Sequence, residues 1–267
     1  MKEKNIPTHN IMKETFDWEI PIETVPLPSQ GLVYDPDSRL YKVKSLDIKA
    51  MTAHEEDILT SPALMKKGET IRTLIKSCLI DKTVDTNKML LGDRNALMIS
   101  IRVTGYGPDY KAIFDCPKCN HTSSDTVDLS ELSINFLELE PTAKGLNSFE
   151  FTLPVTKKKI TFKFMTVGEE KELTQAREAM NKHFDSPIET NVTSNLEKAI
   201  VAIDGIRDRN KIRHFVQNMP AYDSRVLRKF IKENEPGIKM EHDLVCANCS
   251  SASSVLVQMS REFFWPS

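Results

Sequence analysis

The hydrophobic residues of two separate regions repeat with the spacing of an amphipathic helix. The apolar positions are Ile71, Leu74, Ile75 and Cys78 in the first region, and Leu196, Ala199, Ile200 and Ile203 in the second. Intervals of three and four residues place such side chains on one face of a helix. We therefore predict a buried helical face in each region, with Cys78 as a core thiol outside any metal site.

Each of these regions follows a segment that predicts a strand leading into a capped helix. The segments are "IKAMTAHEEDIL" at 48–59 and "FKFMTVGEEKEL" at 162–173. In both, a threonine precedes a glutamate by three residues, which is the spacing of a capping box. Helix capping therefore accounts for these glutamates, and we do not assign them to acid–base catalysis.

Similar segments recur along the chain at offsets of 114, 125 and finally 130 residues. This self-similarity predicts an α+β fold that is internally duplicated and mostly helical, with short β elements. The domains expected from it are an extended N-terminal arm at 1–30, a first repeat at 31–140 and a second repeat at 141–267.

Two cysteine pairs with identical spacing, "CPKC" at 116–119 and "CANC" at 246–249, keep the offset of 130. Each lies between two runs that predict strands, and two such turns can direct four thiolates at one tetrahedral zinc ion. The 126 residues between the pairs far exceed the usual spacing of about 15 to 20, and one whole repeat fills the gap. We predict a composite zinc ribbon whose ligands are Cys116, Cys119, Cys246 and Cys249.

Other readings of the cysteines stay open. A redox C-x-x-C site is the nearest rival, although neither pair opens a helix as a thioredoxin-like motif would. Two further alternatives are that the cysteines are unrelated surface residues and that each half of the chain binds its own partner. His121 is either a stand-in ligand or an exposed loop histidine.

The composition of the chain limits the cellular compartments and the classes of partner that we expect. The chain has 267 residues, a formal net charge of -2 and 40% hydrophobic residues, as in ordinary globular proteins. It has no global basic field, so nucleic acid is an unlikely partner. No stretch predicts a membrane span or a secretion signal. We expect a cytosolic protein, where thiols stay reduced and paired cysteines favour metal over disulfides.

Both ends of the chain contain apolar residues, and their role can be interpreted in two ways. Prolines at 7, 21, 26 and 28 predict an extended segment without a helix. Each end either packs on its own domain or docks onto a partner by strand addition or groove filling. The candidate partner-binding residues are Phe16, Trp18, Ile20, Ile22, Phe263, Phe264 and Trp265.

Catalysis has little support in the sequence. We find no nucleophile elbow, phosphate loop, H-E-x-x-H or dinucleotide-binding glycine motif. We therefore expect a non-enzymatic protein, with cysteine redox chemistry as the enzymatic alternative.

Residues 26–80 resemble the baseplate-hub assembly family of T-even-type phages, which have contractile tails. The matching features are "LPSQGLVY", the strand ending at Met51 and the helix start "MTAHEEDILTSP". The resemblance implies a protein made in the cytoplasm of the infected bacterium that helps to build the central hub of the tail baseplate. It brings no catalytic residues.

The resulting expectation is an assembly chaperone that binds baseplate hub proteins. Two alternatives remain: a structural subunit of the hub, present in the virion tail baseplate, and a zinc-ribbon adaptor that binds nucleic acid.

Overall fold

The structure is a computed structural model that describes residues 19–183, 191–257 and 261–264. Within these ranges the chain forms eleven short strands, eight α-helices and three single-turn 3-10 helices. The strands are β1 (Ile22–Pro26), β2 (Ser45–Lys49), β3 (Asp109–Asp115), β4 (Thr122–Asp128), β5 (Ile134–Asn135), β6 (Phe149–Thr152), β7 (Lys159–Phe162), β8 (Ile200–Ile203), β9 (Gly237–Ile238), β10 (Glu241–Val245) and β11 (Ala252–Leu256). The helices are α1 (Ala53–Thr60), α2 (Pro62–Lys67), α3 (Thr70–Cys78), α4 (Leu91–Tyr106), α5 (Val167–His183), α6 (Asn191–Ala199), α7 (Arg209–Asn218) and α8 (Ala221–Asn234). None of the helices in these ranges is long and apolar enough to cross a membrane.

The prediction of a mostly helical fold is wrong, because strands make up about 24% of the protein against about 40% helix. These strands form five small sheets rather than isolated elements. The second predicted helical stripe shows the reason. Helix α6 ends at Ala199, and the β-branched run that follows becomes β8, which pairs with β7.

The structure does not show the predicted internal duplication either. The first half contains the two-stranded sheet β1–β2, whereas the second half contains the three-stranded sheet β6–β7–β8. What recurs is local chemistry. Both predicted capping boxes are present, at Thr52 with Glu55 and at Thr166 with Glu169.

Part of the N-terminal segment packs on its own domain. Strand β1 pairs antiparallel with β2, in a register that sets Val25 opposite Leu46. Val25 and Leu27 are buried in the core. For residues 22–27, packing on the chain itself is therefore the observed alternative.

Helix α4 is the central element of the core. It packs against β1, β2, α3 and β9, and it buries Ala96, Leu97 and Ile101. Its first turn approaches the chain before β9 so closely that a Cβ at Gly92 would lie 1.7 Å from the carbonyl oxygen of Pro236. Only glycine fits at that contact, which joins the helix to the second half of the chain.

Two buried aspartates, Asp93 and Asp223, fasten loops to the starts of α4 and α8. Asp93 accepts hydrogen bonds from the backbone N–H of Ser29, 2.9 Å away, and from the hydroxyl groups of Ser29 and Tyr34, each at 2.5 Å. The aspartate therefore fixes the "LPSQGLVY" segment against the central helix. No sequence pattern indicates this role, because acidic residues in the first turn are also common on exposed helices.

Candidate metal centre

The first cysteine pair lies in the turn that joins β3 to β4. These strands form an antiparallel hairpin whose last pair is Asp115 with Thr122. The Cys116 N–H donates to the carbonyl of His121 at 3.0 Å, and the Asn120 N–H donates to the carbonyl of Cys116 at 2.8 Å. Asn120 has a φ of 55°, a left-handed conformation that asparagine tolerates. The result is a tight knuckle with both sulfurs at the end of the hairpin.

The second pair repeats this geometry between β10 and β11. The Cys246 N–H donates to the carbonyl of Ser251 at 3.1 Å, and the Ser250 N–H donates to the carbonyl of Cys246 at 2.9 Å. Ser250 takes the left-handed conformation, with a φ of 53°. The two knuckles therefore present their cysteines in the same way.

The four sulfur atoms come together at one point. The Sγ atoms of Cys116 and Cys249 are 3.7 Å apart, as are those of Cys119 and Cys246. All four lie within 4.8 Å of one another. A disulfide needs a sulfur–sulfur distance of about 2.05 Å, whereas a tetrahedron of thiolates about 2.3 Å from zinc has edges of about 3.8 Å. The residues present therefore fit a tetrahedral metal ion.

The electrostatics of the cluster also favour a cation. Backbone N–H groups of Cys119 and Lys118 lower the pKa of Cys116. The N–H of His121, followed by the side-chain amide of Asn248, lowers the pKa of Cys119 to about 6. Such donors stabilise thiolates, but four thiolates at these distances repel one another unless a positive ion lies between them.

Repulsion within the cluster is visible at Cys249. The N–H of Ser251 lowers the pKa of this thiol, but burial and the neighbouring sulfurs of the cluster outweigh it and raise the pKa to about 11. A bound metal ion would relieve this repulsion, because thiols that bind metal do so as thiolates and release their protons.

Contacts away from the sulfurs hold the two hairpins together. The rings of Phe114 on β3 and His242 on β10 are stacked, with centroids 5.5 Å apart. His242 Nε2 lies 2.9 Å from a carboxylate oxygen of Asp125 on β4, and this partner lowers the pKa of Asp125. The cysteine cluster therefore forms at a junction that other side chains already align.

The remaining cysteine and His121 lie outside this cluster. Cys78 is fully buried in the core, and burial raises the pKa of its thiol to about 12. It is thus the inert core thiol that its helical position predicts. His121 is exposed and is not part of the sulfur cluster.

The structure separates the candidate partner-binding residues into three groups. Phe16, Trp18 and Trp265 lie outside the described residues. Ile20 is partly exposed, and Ile22 is 49% exposed.

The C-terminal aromatic residues form the third group, and Phe263 and Phe264 are buried. The Phe263 ring packs edge-on against Tyr110, with centroids 5.3 Å apart. The guanidinium of the buried Arg102 donates to the carbonyl of Phe263 at 2.6 Å. Of the two interpretations of the C-terminal end, packing on the chain's own core is the one observed for these two side chains.

The fold and the site define a mixed α/β protein in which two hairpins share a four-cysteine cluster suited to a metal ion. Residues 33–145 match the model of a protein family described as T4 bacteriophage base plate protein. No curated protein and no solved structure matches the chain significantly.

The family match confirms the resemblance to baseplate proteins of T4-like phages. The matched segment runs from the loop after β1 through α4 to the first hairpin and beyond, while the second cysteine pair lies outside it. The match supports a role connected with the phage tail baseplate.

Proposed function

We propose that this protein is a non-enzymatic assembly factor, a chaperone that binds hub proteins of the baseplate in the host cytoplasm. The observation that carries the proposal is the family match over residues 33–145. That segment ends at a constrained apolar cleft, which gives the proposal a surface to test.

The cleft lies between the loop after β1 and the chain at 140–145, and its volume is about 480 Å³. Apolar groups of Leu32, Tyr41 and Pro141 line it, and Leu32 remains 41% exposed. Lys42, Lys144 and Glu140 also line the cleft, so its charged residues are two cations and one anion. These features fit a partner segment that inserts an apolar side chain and places carboxylates beside the two lysines.

The walls of the cleft are fixed by the backbone. The Gly145 N–H donates to the carbonyl of Leu32 at 3.2 Å and joins its two sides. Gly31 has a φ of 69°, and a Cβ there would lie 2.4 Å from the backbone nitrogen of Val43. A site that is formed before binding loses little conformational entropy when a partner docks.

Zinc is the structural cofactor in this proposal. An ion bound by all four cysteines would join β3–β4 to β10–β11, and so hold the second half of the chain against the segment that carries the cleft. A redox site would behave differently, since its thiol would react with an alkylating agent in the native protein. Zinc thiolates should stay unreactive until a chelator removes the ion.

The test for hub binding is a pull-down of purified hub proteins with Leu32→Asp. A carboxylate in the cleft should repel an acidic partner and reduce capture by at least about tenfold. Val192→Asp is the matched control, because Val192 is 43% exposed on α6, outside the matched segment. Undiminished capture by Leu32→Asp would contradict the proposal for this cleft.

The N-terminal arm needs a separate deletion. Removing residues 1–28 would also remove the buried Val25 and Leu27 and damage the core. Deleting residues 1–18 leaves β1 intact and tests Phe16 and Trp18 as partner contacts. Loss of hub capture would support the arm as a binding element, and full capture would assign binding to the folded body.

A structural subunit of the hub is the second candidate, since the description of the matching family names a base plate protein. Mass spectrometry of purified virions separates the two candidates. A chaperone should be absent from finished particles, whereas a subunit should be present in a fixed ratio to other baseplate proteins.

The charges on the hairpins do not support the nucleic-acid alternative. Three of the four ribbon strands, β3, β4 and β10, carry exposed acidic residues that would repel phosphates. These exposed residues are Asp109, Asp115, Asp128, Glu241 and Asp243. A gel-shift assay at low salt should therefore show no binding of DNA or RNA.

A further inference from the structure

The outer edge of β11 is an unpaired strand edge within the described part of the chain. Strands β10 and β11 form a sheet of their own, in which β11 has one strand neighbour. The Cys246 N–H donates to the carbonyl of Ser251, and the Val257 N–H donates to the carbonyl of Met240. Because hydrogen bonding alternates along an antiparallel pair, the odd-numbered residues of β11 face β10.

The even-numbered residues of β11 therefore direct their backbone groups toward the open edge. These residues are Ala252, Ser254 and Leu256, and their side chains are exposed. A strand laid beside β11 would find three N–H groups and three carbonyls in the positions that antiparallel pairing requires.

Strand β11 also lacks the features that protect exposed edges. Its sequence, "ASSVL", contains no charged residue and no proline, and its pairing with β10 has no register shift. Charges on edge strands normally prevent pairing with other chains. The other ribbon strands have such charges: Asp109 and Lys111 on β3, Asp125 and Asp128 on β4, and Glu241 and Asp243 on β10.

The same hairpin exposes apolar surface next to this edge. Leu256 is 60% exposed, and Val245 on β10 is 67% exposed. Side chains of this kind on an uncharged edge strand are typical of a surface that another strand covers.

From this edge we infer that β11 pairs antiparallel with β11 of a second copy of this chain. With a twofold axis at Ser254, Ala252 lies opposite Leu256 of the second copy, and small and large side chains alternate across the pair. The three outward residues of each copy then make about six backbone hydrogen bonds. The strand is thus complementary to itself.

Charge favours a second copy over a basic segment of another protein. The side chains beside the incoming strand are uncharged and give no preference for lysine or arginine. The acidic residues lie on β10, three strand spacings from β10 of the second copy, or about 14 Å. That separation exceeds the screening length of about 8 Å at physiological salt.

The pairing of β11 strands stops at two copies, and the resulting dimer is weak. Each copy uses the outer edge of β11, the one strand of the two cysteine hairpins without a charged residue, and the acidic residues of β10 oppose further addition. Because only five residues on each side take part, the contact is small and the dimer should dissociate in the micromolar range or above.

Sedimentation velocity of the full-length, zinc-loaded protein tests this inference, over about 1 to 300 µM at physiological salt. The wild type should shift reversibly from monomer to dimer. Ser254→Pro removes an outward N–H while leaving the hydrogen bonds to β10, since edge strands tolerate proline there. It should weaken the dimer at least about tenfold, as should Leu256→Lys.

Ser124→Pro is the matched control. Ser124 lies on β4 opposite Ile113 of β3, and the backbone N–H of Ser124 also points away from its hairpin partner. This variant should dimerise like the wild type. Zinc content and circular dichroism should be unchanged in all variants. A wild-type chain that stays monomeric, or equal dimerisation of Ser254→Pro and Ser124→Pro, would overturn the inference. Either result leaves the hub-binding test at Leu32 unaffected.

Discussion

The first segment, residues 27–128, and the second, residues 153–256, use the same local chemistry in different surroundings. Each contains a turn held by a buried aspartate, a helix capped by a threonine and a glutamate, and a hairpin with two cysteines. In the first segment Asp93 receives one backbone N–H and two hydroxyl groups. Burial outweighs these donors and raises the pKa of Asp93.

Asp223 in the second segment is also inaccessible to solvent, but it lies much nearer the protein surface and its pKa shifts the other way. Burial again raises the pKa, but the N–H groups of Val155 and Thr156, 2.8 and 3.0 Å from the carboxylate, lower it by more. Each carboxylate has three hydrogen-bond donors, so the depth at which it lies in the protein decides the direction of its pKa shift.

The largest expected effect concerns the site at which the two segments meet. Cys116→Ser and Cys246→Ser should each abolish zinc binding and lower the free energy of unfolding by several kcal/mol, because each removes one of four ligands from the same ion. Metal analysis and urea denaturation measure the two effects.

Cys78→Ala is the control for this pair, since Cys78 is buried away from the cluster. It should keep one zinc ion per chain. Two zinc ions per wild-type chain, or loss of metal from only one of the two serine variants, would mean that the segments bind metal separately.

The second prediction sharpens the contrast between the aspartates. At neutral pH, Asp223→Asn should cost about 2 kcal/mol, because it removes a charge held by backbone N–H groups. Asp93→Asn should cost less than about 1 kcal/mol at that pH, since burial disfavours the charged form that asparagine replaces. Urea denaturation at several pH values measures both costs.

The two costs should change in opposite directions with pH. The raised pKa of Asp93 means that its contribution is complete below the unfolded value of about 3.9 and declines as the pH rises toward the folded pKa. The lowered pKa of Asp223 means that its contribution is present above about 3.9 and is lost as the pH falls through the folded pKa. Parallel pH profiles for the two asparagine variants would contradict this assignment.

The sequence predicted the features whose signals are local. Two equal C-x-x-C spacings between strand-like runs placed four cysteines together, and their sulfurs do lie within 4.8 Å. The T-x-x-E pattern predicted the capping box at Thr52, which is confirmed. In the T-x-x-E pattern the two interacting residues are three positions apart, and the C-x-x-C pattern occurs twice with the same spacing. In both cases the spacing alone predicts which residues interact.

Long-range partners left no such signal. Asp93 is 64 residues from Ser29, and nothing near either residue indicates the contact. The β-branched residues of β8 also fit helical spacing, and only pairing with β7 decides between the two structures. The aromatic side chain of Phe263 is of the type found in binding anchors, but its contacts with Tyr110 and Arg102 place it in the core.

The smallest difference that we expect in the free energy of unfolding is between variants of the two capping glutamates, Glu55 and Glu169. The Glu55 side chain is fully buried and accepts hydrogen bonds from Lys49 at 2.7 Å, Ser77 at 2.6 Å and the Thr52 N–H at 3.0 Å. Burial raises its pKa, but these donors outweigh burial and lower the pKa to about 2. Glu169 caps α5 with a side chain that is 18% exposed.

Glu55→Gln should therefore cost about 1 to 2 kcal/mol at neutral pH, and Glu169→Gln less than about 1 kcal/mol. The lowered pKa of Glu55 means that its contribution is present above the unfolded value of about 4.3 and is lost as the pH falls toward the folded value. Denaturation at pH 7 and pH 3 should thus show a smaller cost for Glu55→Gln in acid. Equal costs for the two variants at pH 7 would show that burial and the Ser77 contact add nothing to the cap.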